Sequence, residues 1–247
     1  GVNALFAVIS AVSTPNAFPG WPAPAPVNPL LGSLDLSITP TTPPTEQLQS
    51  EISTTVTIGG QVFVVSSGGG DTLQVSNSTD PANLTLEERV QFPGYKSQSV
   101  ASYGNLLAVA LSPSDYATNG GRGVVRFYRV GADGTLAFLE DVQVGYLPDS
   151  IAFNDQGTKL VIANEGEPIN GFATDPAKDP AGSIGIIDIQ GLLNPRFSTT
   201  DLRFDNILLP AGIRLSGPSV PAGRTPSQAT DIEPEYVSIL GNYAYVT

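Results

Sequence analysis

The chain has 247 residues and a net charge of −12, from 11 basic and 23 acidic residues, and it contains no His, Cys or Met. The missing His and Cys exclude Ser-His-Asp and Cys-His nucleophilic machinery, disulfides, and the imidazole and thiolate sites that zinc prefers. The acidic surplus argues against nucleic acid as a partner, because neutralising phosphates needs clustered Lys and Arg.

Only 14% of residues are charged, and polarity comes instead from Ser, Thr, Asn and Gln. That balance fits a turn-rich β protein better than a helical one. No stretch reaches the ~20 apolar residues of a membrane-spanning helix. A chain without Cys or Met offers little to oxidise, which suits a secreted, extracellular setting at the cell surface.

Residues 1–48 form the first unit, an extended Pro-rich arm. Pro15, Pro19, Pro22, Pro24, Pro26, Pro29, Pro40, Pro43 and Pro44 remove backbone donors and hold their predecessors extended. The run Leu5 to Val12 resembles the apolar core of a signal peptide, but no basic segment precedes it. With no initiator Met either, the numbered chain is expected to begin inside a longer precursor. Phe6, Phe18 and Trp21 are large apolar groups that a plain linker would not carry. They mark the arm as a partner-binding element for self-association or for another extracellular protein.

Residues 49–247 read as β-propeller blades. Four segments repeat one pattern, an apolar alternation, a Gly turn and a second strand: Thr54–Ser66, Gln98–Ala110, Asp149–Ala163 and Glu235–Thr247. The turn glycines are Gly60, Gly104, Gly157 and Gly241, spaced 44, 53 and 84 residues apart. Five residues after each comes Val65, Val109, Ile162 or Val246, expected at equivalent buried positions. Further strands are expected at Thr72–Val75, Thr85–Phe92, Gly123–Val130, Thr135–Val144 and Ser183–Ile189. Four strands per repeat of roughly 40–50 residues is the propeller pattern. Residues 190–231, rich in Pro, read as a loop insertion. The chain holds about three and a half blades, so the propeller is expected to continue beyond residue 247 or to be completed by another chain. Arg122, Arg126 and Arg129 read as a charged outer strand that discourages edge pairing.

The fourth hairpin ends in Tyr-Ala-Tyr-Val-Thr. The third is preceded by Leu147-Pro148-Asp149 and followed by Asn164-Glu165-Gly166-Glu167-Pro168 and the Gly182–Ile189 strand; Asp231-Ile232-Glu233-Pro234-Glu235-Tyr236 comes later. These motifs resemble YVTN-type propeller repeats of secreted proteins, and more specifically the choice-of-anchor I domain family. That family includes alkaline-phosphatase-like proteins and mesenchyme-specific cell-surface glycoproteins. The resemblance implies a propeller fold, a cell-surface location and, on the first of those labels, a phosphatase-like activity. No nucleophile position matches, so the catalytic residues are unknown.

Glu165, Glu167, Asp175 and Asp179, with Glu233 and Glu235 from the next repeat, form the candidate metal site. Carboxylates on carbonyl-rich loops suit calcium or another hard cation, which would offset their mutual repulsion. The alternative is solvated loop acids, or side chains capping backbone donors. Asp80, Asp175 and Asp179 each precede a Pro and read as turn starters. Gly68-Gly69-Gly70-Asp71 lacks the Lys-Ser/Thr and the helix of a phosphate loop. Asn77-Ser78-Thr79 and Asn83-Leu84-Thr85 fit the N-glycosylation pattern. Three functions stay open: a structural, assembly or interaction protein of an extracellular filament, sheath or surface layer, a cation-dependent phosphatase-like esterase, and a ligand-binding propeller without catalysis.

Overall fold

The computed structural model describes residues 4–6, 33–35, 52–67, 70–212, 215 and 227–247. Among them, β1 (Ala4–Phe6) pairs antiparallel with β2 (Ser33–Asp35) of the same chain. Phe18 and Trp21, read as partner-binding residues, lie outside the described residues, as does most of the arm.

The body is all-β. Sheet 1 holds β3 (Ile52–Ile58), β4 (Gln61–Ser67), β5 (Thr72–Asn77) and β6 (Thr85–Gln91) in sequence order. Sheet 2 holds β7 (Tyr95–Tyr103), β8 (Leu106–Pro113), β9 (Arg122–Val130) and β10 (Leu136–Tyr146), with the short helix α1 (Tyr116–Asn119) between β8 and β9. Sheet 3 holds β11 (Pro148–Phe153), β12 (Lys159–Asn164), β13 (Ser183–Gln190) and β14 (Arg196–Arg203). After the short helix α2 (Gln228–Asp231) comes a hairpin of β15 (Val237–Leu240) and β16 (Tyr243–Val246). The first strands β3, β7, β11 and β15 lie against one another in succession, which is the arrangement of propeller blades.

Two cores hold the sheets together. Sheets 1 and 2 pack through Phe63, Val65, Leu73 and Val75 against Leu107, Val109, Leu111 and Tyr128. Sheets 2 and 3 pack through Leu106, Ala108, Ala110 and Phe127 against Ile151, Leu160, Ile162 and Ile187. Successive strand residues face opposite ways, so β8 feeds one core with its odd positions and the other with its even ones. A strand buried on both faces reads as an unbroken apolar run, and Leu106–Leu111 is one. At the axis, the Ser102 hydroxyl donates to the Thr55 carbonyl at 3.0 Å, and the Val237 amide donates to the Ser150 hydroxyl at 3.2 Å.

Gly60, Gly104, Gly157 and Gly241 all lie in hairpin turns with positive φ. The four positions expected to be equivalent divide, however. Val109 pairs with Val100, Ile162 with Ile151 and Val246 with Val237, in matching register. Val65 is one residue out of step, because Gly59 and not Gly60 opens the first turn, and Ile58 pairs with Gln61. A one-residue slip turns a side chain to the other face. Val65 accordingly points toward sheet 2, whereas Val109 points back toward sheet 1. Val246 is half-buried, and among the described residues its sheet has two strands.

The segment read as a loop at 190–231 contains β14, the fourth strand of sheet 3. Its sequence, RFSTTDLR, has one inward aromatic, Phe197, and little apolar alternation, because an outer strand has one face to bury at most. The arginine cluster also lies elsewhere than expected. Strand β9 is third in its sheet and paired on both sides. Arg126 grips Asp141 through two hydrogen bonds of 2.6 and 2.7 Å, and its guanidinium lies near the Phe92 and Phe138 rings. Arg129 donates to the carbonyls of Leu192 and Leu193 and ties sheet 2 to the β13–β14 turn. Asn77 bonds Gln61 through its side chain, and Asn83 bonds Asp80 in the exposed β5–β6 turn.

Candidate functional site: an acidic crown at one end of the inner strands

The acidic motifs converge because three loops meet at one end of sheets 2 and 3. The loop after β12 begins with Glu165, whose amide donates to the Leu147 carbonyl at 2.9 Å. The Tyr116 hydroxyl on α1 donates to the Glu167 carbonyl at 2.8 Å, and the Asn170 amide donates to the Ala117 carbonyl. The third loop carries Glu233 and Glu235 and meets the loop after β12 where the Gly182 amide donates to the Ala229 carbonyl at 3.0 Å. Glycines let these backbones touch. A Cβ on Gly182 would lie 2.2 Å from the Ile232 carbonyl oxygen and 2.9 Å from that of Glu165. One on Gly166 would lie 2.6 Å from the Gly182 nitrogen.

The inner strands repeat one device at this end. In β7 the register slips between Ser97 and Ser99, so Gln98 is an extra residue; in β11 it slips between Pro148 and Ser150, so Asp149 is extra. Ahead of β15, the Glu235 and Tyr236 amides both donate to the Thr247 carbonyl, at 2.9 and 3.5 Å, which is the hydrogen-bond pattern of a bulge. Gln98, Asp149 and Glu235 therefore hold the same place in three successive sheets. Gln98 donates to the Ser112 hydroxyl at 2.7 Å, and the residue matching Ser112 in sheet 3 is Glu165.

Glu165 is half-buried, and burial is the main cause that pushes its carboxyl up to about 7. The charges of Asp149, Glu167, Glu235 and Glu233 push it the same way. Burial raises the Tyr116 hydroxyl well above the usual phenol range, with Glu167, Glu165, Tyr146 and Asp179 adding to it. Lys178, in the same loop as Glu167, donates to the Asn170 carbonyl. Glu167, Glu233 and Glu235 thus all act on Glu165, and Asp179 is buried near Tyr116. Asp175 serves the turn instead: exposed, it accepts from the Ala177 amide at 3.1 Å. Among the described residues, no three acids stand close enough to hold one metal ion.

Sequence reasoning missed Asp149 and Tyr116 as members of this group. Asp149 was visible in principle, since it aligns with Glu235 when the two hairpins are superimposed on their registers. Tyr116 had no signal, because nothing in its neighbourhood marks a side chain that reaches 51 residues ahead.

Replacing Glu165 with Gln tests the strain in this crown. Above pH 7 the folded and unfolded carboxyls are both ionised, and the folded one carries the penalty. As pH falls from 7 towards the ordinary value of 4.5, the folded state takes up the proton first and stability rises. Glu165→Gln is therefore expected to stabilise the protein at pH 8 and to change little at pH 4. The shift discounted for solvent exposure gives about 1 kcal/mol, or roughly 3 °C in melting temperature by scanning calorimetry. Equal melting temperatures of the two proteins at pH 8 would show that the carboxylates are fully relaxed by solvent.

These features define a propeller-type all-β protein whose loops gather carboxylates at one end of the inner strands. The chain belongs to the choice-of-anchor I domain family, whose model matches residues 51–247. Membership implies association with the cell surface. Among the described residues, no helix is long and apolar enough to cross a membrane. No curated protein matches the sequence. Solved structures are distantly similar. A candidate 6-phosphogluconolactonase from Bacteroides uniformis shares 15% identity at a TM-score of 0.46, over 76% of this chain and 47% of that one. A second candidate, from Bacteroides fragilis, shares 13% at 0.43, over 60% and 36%. A protein from Lactobacillus plantarum shares 15% at 0.41, over 57% and 38%. This chain spans less than half the length of each of the three.

Proposed function

We propose that the chain is a secreted structural or interaction module of the cell surface, built into an extracellular filament, sheath or surface layer. The observation that carries this reading is the family match over residues 51–247. Two apolar cores that lock three sheets into one body supply a rigid platform of the kind such a role needs. The arm, with Phe6, Phe18 and Trp21, is the element proposed to attach that platform to its neighbour. The test is surface labelling of intact cells that produce the protein, with a chain lacking residues 1–45 beside it. Labelling of the full chain, with release of the shortened chain into the medium, is the expected result. A full chain found only inside the cells would overturn the reading.

One observation favours a second reading, a cation-dependent phosphatase-like esterase: the Glu165 carboxyl is pushed up to about 7, chiefly by burial and further by the charges of Asp149, Glu167, Glu235 and Glu233. A hard cation such as calcium would relieve that repulsion and polarise a phosphoryl oxygen, provided the Glu165, Glu167, Glu233 and Glu235 side chains close on it from their present separation. Asp179 lies close by, and Asp175 would have to leave its turn to join. Binding to the native state raises the melting temperature by mass action. A rise on adding millimolar calcium that Glu165→Gln abolishes is the result this reading expects. An unchanged melting temperature removes it.

A further inference from the structure

The chain holds two Asn-Gly pairs, Asn119-Gly120 and Asn170-Gly171. Their loops touch at the crown, where the Asn170 amide donates to the Ala117 carbonyl at 2.8 Å. Both asparagines are exposed. An Asn-Gly pair can react with itself, because glycine has no Cβ to keep its nitrogen from the asparagine side chain.

The two pairs are held differently. The Gly120 amide donates to the Tyr116 carbonyl at 2.8 Å, and Asn119 Nδ2 donates to Asp115 Oδ2 at 2.6 Å. Nucleophile and electrophile are both tied down there. Asn170 and Gly171 are instead the central residues of a turn, closed by the Phe172 amide on the Ile169 carbonyl at 3.1 Å. Among the described residues the Gly171 amide donates no hydrogen bond, and the Asn170 side chain makes none.

Lys178 adds the chemistry. Its ammonium donates to the Asn170 carbonyl at 3.2 Å and lies beside Gly171, where a Cβ would stand 3.1 Å from Nζ. That carbonyl and the Gly171 N–H belong to one peptide group. A cation on the oxygen draws electrons from the nitrogen and favours loss of its proton.

We propose that Asn170-Gly171 is a self-modification site promoted by Lys178. The Gly171 nitrogen gives its proton to solvent and bonds to Asn170 Cγ; the Cγ–Nδ2 bond breaks and ammonia leaves. Water then opens the cyclic imide at either carbonyl, to an aspartyl or an isoaspartyl residue. Either product puts a carboxylate where an amide stood, in the loop that carries Glu165 and Glu167, so the acidic crown gains charge with age. The inference rests on neither function proposed above.

Peptide mapping by mass spectrometry tests it, on the full chain kept folded at pH 8 and, in parallel, unfolded in urea. Each conversion adds one mass unit, and fragmentation separates the aspartyl from the isoaspartyl product. In the folded protein Asn170 is expected to convert about tenfold faster than Asn119, whose hydrogen bonds must open first. In urea the two are expected to react at similar rates. Lys178→Gln is expected to slow Asn170 roughly fivefold in the folded protein and not in urea, and Lys178→Arg to keep the original rate. An Asn170 that reacts no faster than Asn119 in the folded protein overturns the proposal. So does a rate that Lys178→Gln leaves unchanged, or a loss that Lys178→Arg shares, which would make Lys178 a purely structural part of the loop.

Discussion

Phe127→Ala is expected to cost about 3–5 kcal/mol of stability, the usual price of emptying a large aromatic from a packed core. Phe127 is fully buried on β9, and its ring stacks on Phe197 of β14 with centroids 4.0 Å apart. It fills the joint between sheets 2 and 3, so its neighbours belong to two sheets and cannot collapse into the gap together. A loss of that size corresponds to a fall of roughly 10 °C in melting temperature for a chain of this length. Phe138→Ala supplies the contrast. That ring is 58% exposed, although it lies near the Arg126 guanidinium, and its removal is expected to cost under about 1 kcal/mol. Equal losses from the two substitutions in urea titrations would show that sheets 2 and 3 do not share a rigid core.

The second large effect is expected at Gly182. An alanine there needs the Ile232 carbonyl, 2.2 Å from the new Cβ, to withdraw, and the Glu165 carbonyl to yield as well. Neither is the loose end of a side chain. The loop with Glu233 and Glu235 must move, and the Gly182–Ala229 hydrogen bond moves with it. Overpacking of this kind costs about 1–3 kcal/mol, and a lost buried hydrogen bond adds to it. Gly182→Ala is therefore expected to lower the melting temperature by several degrees and to speed amide exchange across residues 227–236. Gly70→Ala makes the same chemical change where nothing lies within 4 Å, and is expected to be close to neutral. If exchange in residues 227–236 were unchanged, the close contact at Gly182 would not be what holds the two loops together.

The hairpins were legible because glycine and alternation are local signals. Gly104, Asn105 and their flanks specify a two-residue turn whatever lies beyond. Face assignment was less legible, as Val65 shows: two adjacent glycines leave the start of a turn undetermined by one residue, and one residue decides the face. Strand β14 was missed because an exposed outer strand need not alternate. At the site, the two Glu-x-Glu pairs were legible as strand-end acids, and the structure brings Glu165 under the influence of both. Asp175 was indistinguishable from them by composition, and only the Ala177 amide reveals that it serves a turn. Tyr116 depends on the packing of a loop between two strands of another sheet, for which a single sequence holds no pattern.

The bulge shared by three inner strands separates two properties that are usually entangled. Sheet 2 places a neutral amide, Gln98, and a hydroxyl, Ser112, where sheet 3 places Asp149 and Glu165, and both sheets fold to the same strand order. The architecture is thus indifferent to charge at this place. The molecule contains its own uncharged control, and the repulsion stored in the crown is a trait of particular blades, held in reserve by a scaffold that does not require it.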